Sequence, residues 1–498
     1  MLISILAPHT QGTDISVSKI PEGTKYIKYE VHDSDSNSVA AVVVTDCVTG
    51  TENICGLIDG RKYTVTASAL DEQKKLIEKS EERTVIPNFV PGKCISYIHP
   101  YDSAFGPAGR FIGSPCIAKL SNGDLVASHD LFLESFPNRF GVDFRDKNSY
   151  ERCVTKIYKS SDNGQTWEFL TDVHCCTFGK MFLFRDKLYM IGLSADADMI
   201  LNDPYNLEER NSGGRAEQKG LEIKIFCSEN GGYTWSEPCS ITKGICAGSF
   251  HKAVTPVIEH EGRLWVAFDT PKNAETGFGL GIASIDAESD IMDEKNWVVS
   301  TPFLYYDMNW DGTVDGVWSY MMEEANVVAG TDGEIYVIAR YNSVNYSAEF
   351  INSDDDGLKA VIAKADKNNP AKPLEFVKMT HFIGGLSKFT INYDAETKKY
   401  YSLVSRATGN MCCQRNILSL VSSEDLFSWK IERDCINLMD MNWYQNCQEA
   451  GMYYCDWLID GNDIIAVCRT ALHDCINYHD ANMMTFHRFK DFRENNYN

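Results

Sequence analysis

Six repeats of a strand, a turn and a second strand follow one another from about residue 93 to the end of the chain. Successive repeats begin roughly 60–75 residues apart, the size of one propeller blade with its loops. The chain has 498 residues, which is too many for one small domain. The repeats predict an all-β fold, a six-bladed β-propeller, with a seventh blade inside residues 272–322 as the alternative. They open at Pro115, Lys180, Pro256, Asn326, Phe389 and Trp457.

The sixth repeat stops at Phe489, one strand short of a complete blade. The segment Cys94-Ile-Ser-Tyr-Ile98 lies ahead of the first repeat and reads as a short strand. We expect it to pair with the last strand of the chain, because such closure leaves no exposed sheet edge.

A second, smaller domain precedes the repeats. After the turn at Asp59-Gly60, apolar and polar residues alternate from Tyr63 to Ala67, as in a half-buried strand. A tyrosine directly after such a turn resembles a fibronectin type III domain, which is a lean β-sandwich. Residues 85–92 contain two prolines and a glycine and read as a linker. We therefore expect a small β-sandwich over residues 1–88 and the propeller over residues 89–498.

Three tryptophan-containing turns recur at the blade spacing. Residues 160–167 fit the pattern Ser-x-Asp-x-Gly-x-Thr-Trp in full, residues 228–235 fit it with Asn in place of Asp, and residues 422–429 are a degraded copy. In this pattern the Asp side chain binds turn amides, the Gly takes a positive φ, and the Trp packs under the blade. The role is structural, away from the cleft. The pattern is similar to the Asp-box of the sialidase superfamily, a resemblance that spans residues 94–493.

The resemblance to sialidases implies a set of catalytic residues. Sialidases use a tyrosine nucleophile with a glutamate partner, an aspartic acid as proton donor, and three arginines that hold the substrate carboxylate. By position these are Tyr454 at the sixth repeat, Glu324 just before the fourth, and Asp130 after the first hairpin. The implied arginines are Arg110, Arg340 and Arg406. The neighbouring or competing residues are Glu323, Tyr453, Arg415, Arg469 and, as an alternative proton carrier, His129.

The same residue types suit the chemistry on general grounds. Arginine is always charged and binds a carboxylate through two parallel hydrogen bonds. A phenol has a pKa near 10, so Tyr454 needs Glu324 to accept its proton as it attacks. Asp130 needs its pKa raised by burial in order to donate a proton. In sialidases the first arginine stands in Arg-Ile-Pro, whereas this chain reads Arg110-Phe-Ile-Gly-Ser-Pro115, with the proline displaced.

Histidines offer a second interpretation. His251 lies at the opening of the third repeat, and His479 follows Arg469 in the last loop before the closing strand. A histidine–tyrosine pair with an arginine can supply the base, the acid and the carboxylate neutraliser of a uronate lyase. We therefore expect an exo-acting, retaining glycosidase that releases a terminal acidic sugar. There are two alternatives. One is a lyase or other glycosidase that acts on uronate-containing glycans, and the other is a non-catalytic glycan-binding propeller.

Charge and composition exclude several other partners. The formal net charge of −23 repels nucleic acid and anionic membranes, and no apolar run of 18 residues is present. The 17 cysteines include no Cys-x-x-Cys pair, so we expect reduced thiols and neither a metal site nor a cofactor. The N-terminus lacks a basic start and a long apolar run, which predicts a cytoplasmic protein. The partner is a glycan, and the sequence leaves the oligomeric state open.

Overall fold

The computed structural model describes most of the chain in fifteen ranges. Within them the protein is built from β-strands, and the helical elements are two short 3-10 turns, Glu294–Asn296 and Leu438–Asp440. No helix in these ranges has the length and apolarity needed to cross a membrane. The ranges are 1–47, 50–100, 102, 110–133, 154–174, 176–194, 222–242, 250–273, 277–304, 321–342, 359–385, 387–408, 414–441, 449–475 and 477–494.

The N-terminal strands form two facing sheets. One sheet has the order β1-β2-β5 and the other the order β4-β3-β6-β7, and β8 pairs with the first residues of β6 while β7 pairs with its last. Tyr63, Val65 and Ala67 of β6 are buried as predicted, and Thr66 between them is buried as well. The strands are β1 (Leu2–His9), β2 (Gly12–Ser18), β3 (Tyr26–Asp33), β4 (Val39–Asp46), β5 (Glu52–Cys55), β6 (Tyr63–Leu70), β7 (Leu76–Lys79) and β8 (Arg83–Val85).

Six antiparallel sheets follow and form the blades of the propeller. Blade 1 holds β10 (Arg110–Lys119), β11 (Leu125–Leu133), β12 (Val154–Ser160) and β13 (Glu168–His174). Blade 2 holds β14 (Thr177–Phe184), β15 (Lys187–Ser194), β16 (Glu222–Ser228) and β17 (Cys239–Ser240). Blade 3 holds β18 (Val257–His260), β19 (Arg263–Asn273), β20 (Gly277–Asp286), β21 (Val298–Val299) and β22 (Phe303–Leu304).

The remaining blades complete the ring. Blade 4 holds β23 (Met321–Ala329), β24 (Ile335–Asn342), β25 (Lys359–Ala365) and β26 (Glu375–His381). Blade 5 holds β27 (Thr390–Asp394), β28 (Lys399–Ser405), β29 (Ile417–Ser423) and β30 (Lys430–Asn437). Blade 6 holds β31 (Gly451–Asp460), β32 (Asp463–Ala471) and β33 (Met483–Phe489), and β9 (Lys93–Tyr97) pairs with β33 as its fourth strand. The predicted six-bladed propeller after a small β-sandwich, closed by the segment around Cys94, is confirmed.

A bulge interrupts the innermost strand of four blades at the same place. The residue at the bulge has a positive φ in each: Ser114 at 50°, Phe178 at 55°, Glu324 at 59° and Tyr454 at 55°. The strand register shifts at each of these points. An L-residue with this φ is strained, and such bulges re-aim a side chain out of the regular alternation. They bring Tyr454 of blade 6 into contact with Glu324 of blade 4, although blade 5 lies between them.

The sandwich packs directly on the propeller. Arg83 is 2% exposed, and its guanidinium Nε donates to Asp102 Oδ2 at 3.1 Å. The same guanidinium donates to the carbonyl oxygens of Ile3 in the sandwich and Tyr97 in β9. A continuous apolar cluster joins the sandwich to blades 1 and 6. The boundary at residues 88 and 89 stays a prediction.

The three tryptophan turns are held by the hydrogen bonds that the sequence pattern predicts. In the first turn the Asp162 carboxylate accepts from the Thr166 amide at 2.9 Å, and the Trp167 indole donates to the Gly164 carbonyl at 3.1 Å. The second turn repeats this arrangement. The third differs from the predicted alignment, because Asp425 rather than the residue before it binds the turn amides, and Leu426 takes the positive φ of 70°.

Candidate active site

Tyr454 and Glu324 form the centre of the candidate active site. The Tyr454 hydroxyl donates a hydrogen bond to Oε1 of Glu324. Burial raises the pKa of the Tyr454 phenol well above its usual value of 10, and burial also raises the pKa of Glu324. Because burial disfavours the free phenolate, Tyr454 needs a base beside it to attack, and the Glu324 carboxylate is placed to accept its proton.

Arg340 holds the glutamate in place. Its Nε lies 2.6 Å from Oε2 of Glu324, and its Nη2 lies 2.5 Å from Oε1 of Glu323. All three side chains are buried. The register of blade 4 explains the contact, because Glu323 is paired directly with Arg340 across β23 and β24. A single guanidinium thus neutralises two carboxylates at the wall of the cleft.

Two further arginines lie over the tyrosines. The Arg415 guanidinium carbon is 4.5 Å from the ring centre of Tyr453 and 5.9 Å from that of Tyr454. The Arg469 guanidinium carbon is 5.1 Å and 5.5 Å from the same two rings. Arg469 donates to the backbone carbonyl of His479, and it forms no salt bridge within the described part of the chain. The structure therefore brings Arg340, Arg415 and Arg469 to the nucleophile.

His251 and Asp269 form a second pair beside the glutamate. Nδ1 of His251 contacts Oδ1 of Asp269, and Oδ2 of Asp269 accepts the backbone N–H of Glu324 at 2.5 Å. Burial opposes the charged imidazole, but the Asp269 carboxylate outweighs it and raises the pKa of His251. The carboxylates of Glu323 and Glu324 act in the same direction. The side chain of His251 is 19% exposed, so part of the imidazole stays accessible.

An arc of aromatic rings completes the opposite wall. Neighbouring ring centres are 5.2 to 5.9 Å apart along the arc. The arc begins beside the Arg469 guanidinium carbon, which is 5.0 Å from the Phe111 ring. The arc links Arg469, which lies over the Tyr453 ring, to His251 at its other end. In order, its members are His479, Phe111, Phe132, Phe178 and His251.

Asp130 lies behind this arc and is 1% exposed. Its Oδ1 is 2.7 Å from the Thr155 hydroxyl, and its Oδ2 accepts the backbone N–H of Phe178 at 2.6 Å. Burial raises the pKa of Asp130 to about 7, against these hydrogen bonds and the nearby charge of Arg469. The predicted rise in pKa is present, but both carboxyl oxygens of Asp130 are hydrogen-bonded to neighbouring protein groups.

Two predicted histidines occupy different surroundings. His129 is fully buried, with Nε2 2.9 Å from the Ser96 hydroxyl, and burial lowers its pKa to about 4. It points away from the cleft, because consecutive residues of a strand face opposite sides of the sheet and Asp130 takes the inner side. His479 lies at the rim, where its Nδ1 is 2.8 Å from Asp480, and burial beside Arg469 lowers its pKa to about 4.

Arg406 is not part of this group. Its Nε donates to Asp434 Oδ1 at 3.0 Å and to the Ser419 hydroxyl at 3.2 Å, on the outer strands of blade 5. It follows the last residue of β28 and points away from the axis, so Arg415 takes the place beside Tyr454 that the sequence assigned to Arg406. Arg110 begins β10 opposite Leu133, and its side chain lies outside the described residues.

The sequence analysis did not identify Asp269 or the phenylalanines of the arc. Asp269 stands five residues after Leu264, as Arg340 stands five after Ile335 and Arg469 five after Ile464. Aligning the second strands of the repeats would have found Asp269.

Among the described residues, no group of three histidine, cysteine, aspartate or glutamate side chains is arranged to hold a metal ion.

Solved structures similar to this chain include glycosidases at low identity. A Hadza microbial sialidase, Hz136, matches with a TM-score of 0.49 and 11% identity, over 96% of this chain and 92% of that chain. A leech intramolecular trans-sialidase matches with a TM-score of 0.46 and 11% identity, over 97% and 94%. A GH43 β-1,3-galactosidase matches with a TM-score of 0.36 and 13% identity, over 64% and 91%. No family model and no curated protein matches the chain.

Proposed function

We propose that the protein is an exo-acting glycoside hydrolase that releases a terminal acidic sugar with retention of configuration. The observation that carries this proposal is the hydrogen bond from Tyr454 to Glu324, together with the guanidinium groups packed around it. A buried tyrosine whose proton is held by a carboxylate is a poised nucleophile, and the arginines supply partners for an anionic substrate.

The chemistry follows from these contacts. The Tyr454 oxygen attacks the anomeric carbon while its proton passes to Glu324, whose carboxylate Arg340 stabilises. The bond from the anomeric carbon to the leaving oxygen breaks, and a proton donor protonates that oxygen. Water then attacks the anomeric carbon of the glycosyl–tyrosine intermediate and gives one proton back to the deprotonated donor. The bond from that carbon to the Tyr454 oxygen breaks, and the proton on Glu324 returns to the phenol oxygen. A neutral phenol avoids the repulsion that a second carboxylate would exert on the substrate's own negative charge.

We assign the role of proton donor to the leaving oxygen to His251 rather than to Asp130. His251 is partly exposed, and the Asp269 carboxylate raises its pKa despite burial, which favours the protonated imidazole that a proton donor needs. Asp130 has a raised pKa, but it is almost fully buried behind Phe132 and Phe178, and its oxygens are occupied. Asp130 instead positions the bulge at Phe178 through the backbone N–H of that residue.

For the substrate carboxylate we propose Arg340, Arg415 and Arg469 in place of the set predicted from the sequence. Arg469 stands beside Gly113, and a Cβ atom added at Gly113 would lie 3.6 Å from Nη1 of Arg469 and would overlap the Phe132 ring. Gly113 directly precedes the bulge at Ser114, and its lack of a side chain leaves room for Arg469 from the neighbouring blade.

A fluorogenic sialoside assay on three proteins tests the proposal. Wild type should release the fluorophore, and Tyr454→Phe should lose at least about a hundredfold in turnover, because it lacks only the nucleophilic oxygen. Tyr453→Phe is the matched control, since its hydroxyl donates to the His479 carbonyl and not to Glu324. Equal turnover in wild type and Tyr454→Phe would refute the mechanism.

A uronate lyase is the second candidate, and the His251–Asp269 pair favours it. An imidazole beside a tyrosine and arginines can abstract the proton next to a neutralised carboxylate. A lyase forms an unsaturated product that absorbs in the ultraviolet, whereas a hydrolase does not. Inactivity on sialosides, together with a His251-dependent rise in absorbance on a uronate glycan, would assign the lyase activity.

A further inference from the structure

Three buried lysines meet at the axis of the propeller, beneath the cleft. Lys180, Lys252 and Lys388 come from the innermost segments of blades 2, 3 and 5, and they are 5%, 1% and 2% exposed. Lysine is almost never fully buried unless it is paired. Neither the proposed reaction nor the blade hydrogen bonds require three ammonium groups here, so the cluster needs its own explanation.

Only one of the lysines has a carboxylate partner in the described part of the chain. Lys180 Nζ lies 2.6 Å from Oδ2 of Asp456, and that oxygen also accepts the Ile117 amide at 2.9 Å. Lys388 Nζ donates to the Thr390 hydroxyl and to the carbonyl of the residue after Tyr454, at 2.7 and 2.8 Å. Lys252 Nζ donates to the carbonyl of its own neighbour, Ala253, at 2.7 Å.

After these contacts, some N–H donors of the lysines are unused and some of their positive charge is unbalanced. An ammonium group has three N–H donors, and Lys252 and Lys180 each use one within the described residues. Burial, together with the charges of Lys180 and Lys388, lowers the pKa of Lys252 to about 7. Burial likewise lowers the pKa of Lys388. The lysines therefore repel one another electrostatically, and the carboxylate of Asp456 offsets only part of their charge.

We propose that the axis of the propeller holds one small monovalent inorganic anion of the halide class, bound by the unused N–H donors of Lys252 and Lys180. A halide accepts hydrogen bonds from several directions, so it suits donors that arrive from different blades. Its negative charge also balances part of the surplus positive charge of the lysines.

Anion binding should be linked to proton uptake at Lys252. The charged groups that face this lysine are Lys180, Lys388, Asp269 and the thiol of Cys116, and Asp456 pairs with Lys180. Since the pKa of Lys252 is lower in the folded protein than in the unfolded chain, folding loses stability as the pH falls from about 10 towards about 7. A bound halide favours the protonated lysine and offsets that loss, so its effect should grow as the pH falls.

Thermal unfolding of the full chain tests the proposal. Sodium chloride is varied against sodium gluconate at constant ionic strength, because gluconate is too large for a halide site. The melting temperature should rise with chloride and saturate, and the rise should be larger at about pH 6 than at about pH 9. Lys252→Met should abolish the chloride dependence. Lys156→Met is the control, because Lys156 pairs with Asp172 on the outer strands of blade 1 and should leave the dependence unchanged.

A bromide soak of wild-type crystals gives a readout that does not depend on a variant folding. The expected result is an anomalous peak within hydrogen-bond distance of Lys252 Nζ. The proposal is overturned if chloride and gluconate give the same melting temperature and no bromide peak appears. A saturable response to sulfate or phosphate without one to chloride would also overturn it, as would chloride dependence that survives in Lys252→Met.

Discussion

Replacing Asp130 by asparagine separates a structural role of this buried carboxyl group from a catalytic one. The Thr155 hydroxyl lies 2.7 Å from Asp130 Oδ1 and 2.9 Å from the Cys176 carbonyl, and it has one hydrogen to donate. A protonated Asp130 donates to Thr155, which then donates to Cys176. The amide group of an asparagine can donate in the same way, while its oxygen accepts the Phe178 amide. The variant should therefore fold with its hydrogen bonds intact.

The size of the effect follows from the pKa of Asp130. Burial raises that pKa from an ordinary value of 3.8 to about 7. As the pH rises between these values, the unfolded chain releases a proton that the folded protein keeps, so the wild type loses stability. A difference of about 3 units corresponds to a loss on the order of 4 kcal/mol, complete above about pH 7. The asparagine variant lacks this loss and should be more stable than wild type above that pH.

Urea unfolding of both proteins from about pH 4 to about pH 9 measures the difference. The control is Asp162→Asn in the first tryptophan turn. There hydrogen bonds from Thr166 and Ser160 outweigh burial and lower the pKa of Asp162, so its loss of stability falls below about pH 4, and the difference in stability between wild type and Asp162→Asn should stay constant over the measured range. Parallel stability curves for wild type and Asp130→Asn would refute the reasoning. A stable Asp130→Asn protein without turnover would return the role of proton donor to Asp130.

Three further predictions concern the histidine, the arginines and the turns. His251→Gln should lose the decline in kcat/KM that wild type shows as the pH rises through the raised pKa of His251; an unchanged pH profile would remove this residue as the proton donor. Arg415→Gln should lose roughly a hundredfold in kcat/KM, a cost of about 2–5 kcal/mol, whereas Arg406→Gln should retain activity; the reverse result would restore the sequence-based assignment. Trp167→Ala should lose about 3–5 kcal/mol of stability in urea unfolding, and the more exposed Trp235→Ala less; equal losses would contradict the role of burial.

The repeat pattern predicts the propeller because each blade has a core of its own. The spacing of the openings predicts six blades, and the unpaired strand near Cys94 predicts how the ring of blades closes. The resemblance to sialidases implies the Glu324–Tyr454 pair, and in the structure both residues stand at the same bulge of their repeats. The bulge itself has no sequence signature that the four blades share, because a serine, a phenylalanine, a glutamate and a tyrosine occupy it.

Arg406 lies one position out of register with the other residues of this group. Counting five residues from the first apolar residue of the second strand (Leu125, Ile335 and Ile464) reaches Asp130 in blade 1, Arg340 in blade 4 and Arg469 in blade 6. In blade 5 the same count from Tyr400 reaches Ser405, so Arg406 falls on the next position and faces the other side of the sheet. A shift of one residue therefore moves the guanidinium from the axis to Asp434.

Other features depend on contacts between blades and were out of reach of sequence alone. The aromatic arc joins phenylalanines of blades 1 and 2 to histidines of blades 3 and 6, with no regular spacing along the chain. Arg415 reaches the tyrosines from the loop ahead of β29.

The fibronectin type III resemblance of the first domain stays a prediction, as does the cytoplasmic location.

Covalent trapping of the nucleophile tests the central claim most directly. The probe is an acidic sugar with fluoride at the anomeric carbon and a second fluorine on the neighbouring ring carbon, which slows the oxocarbenium-like steps and lets the glycosyl–enzyme intermediate accumulate. Mass spectrometry of the digested protein should find one added glycosyl group on the peptide that contains Tyr454, and none on Tyr454→Phe. Wild-type turnover of the corresponding sialoside without any adduct, or an adduct on another residue, would contradict the account.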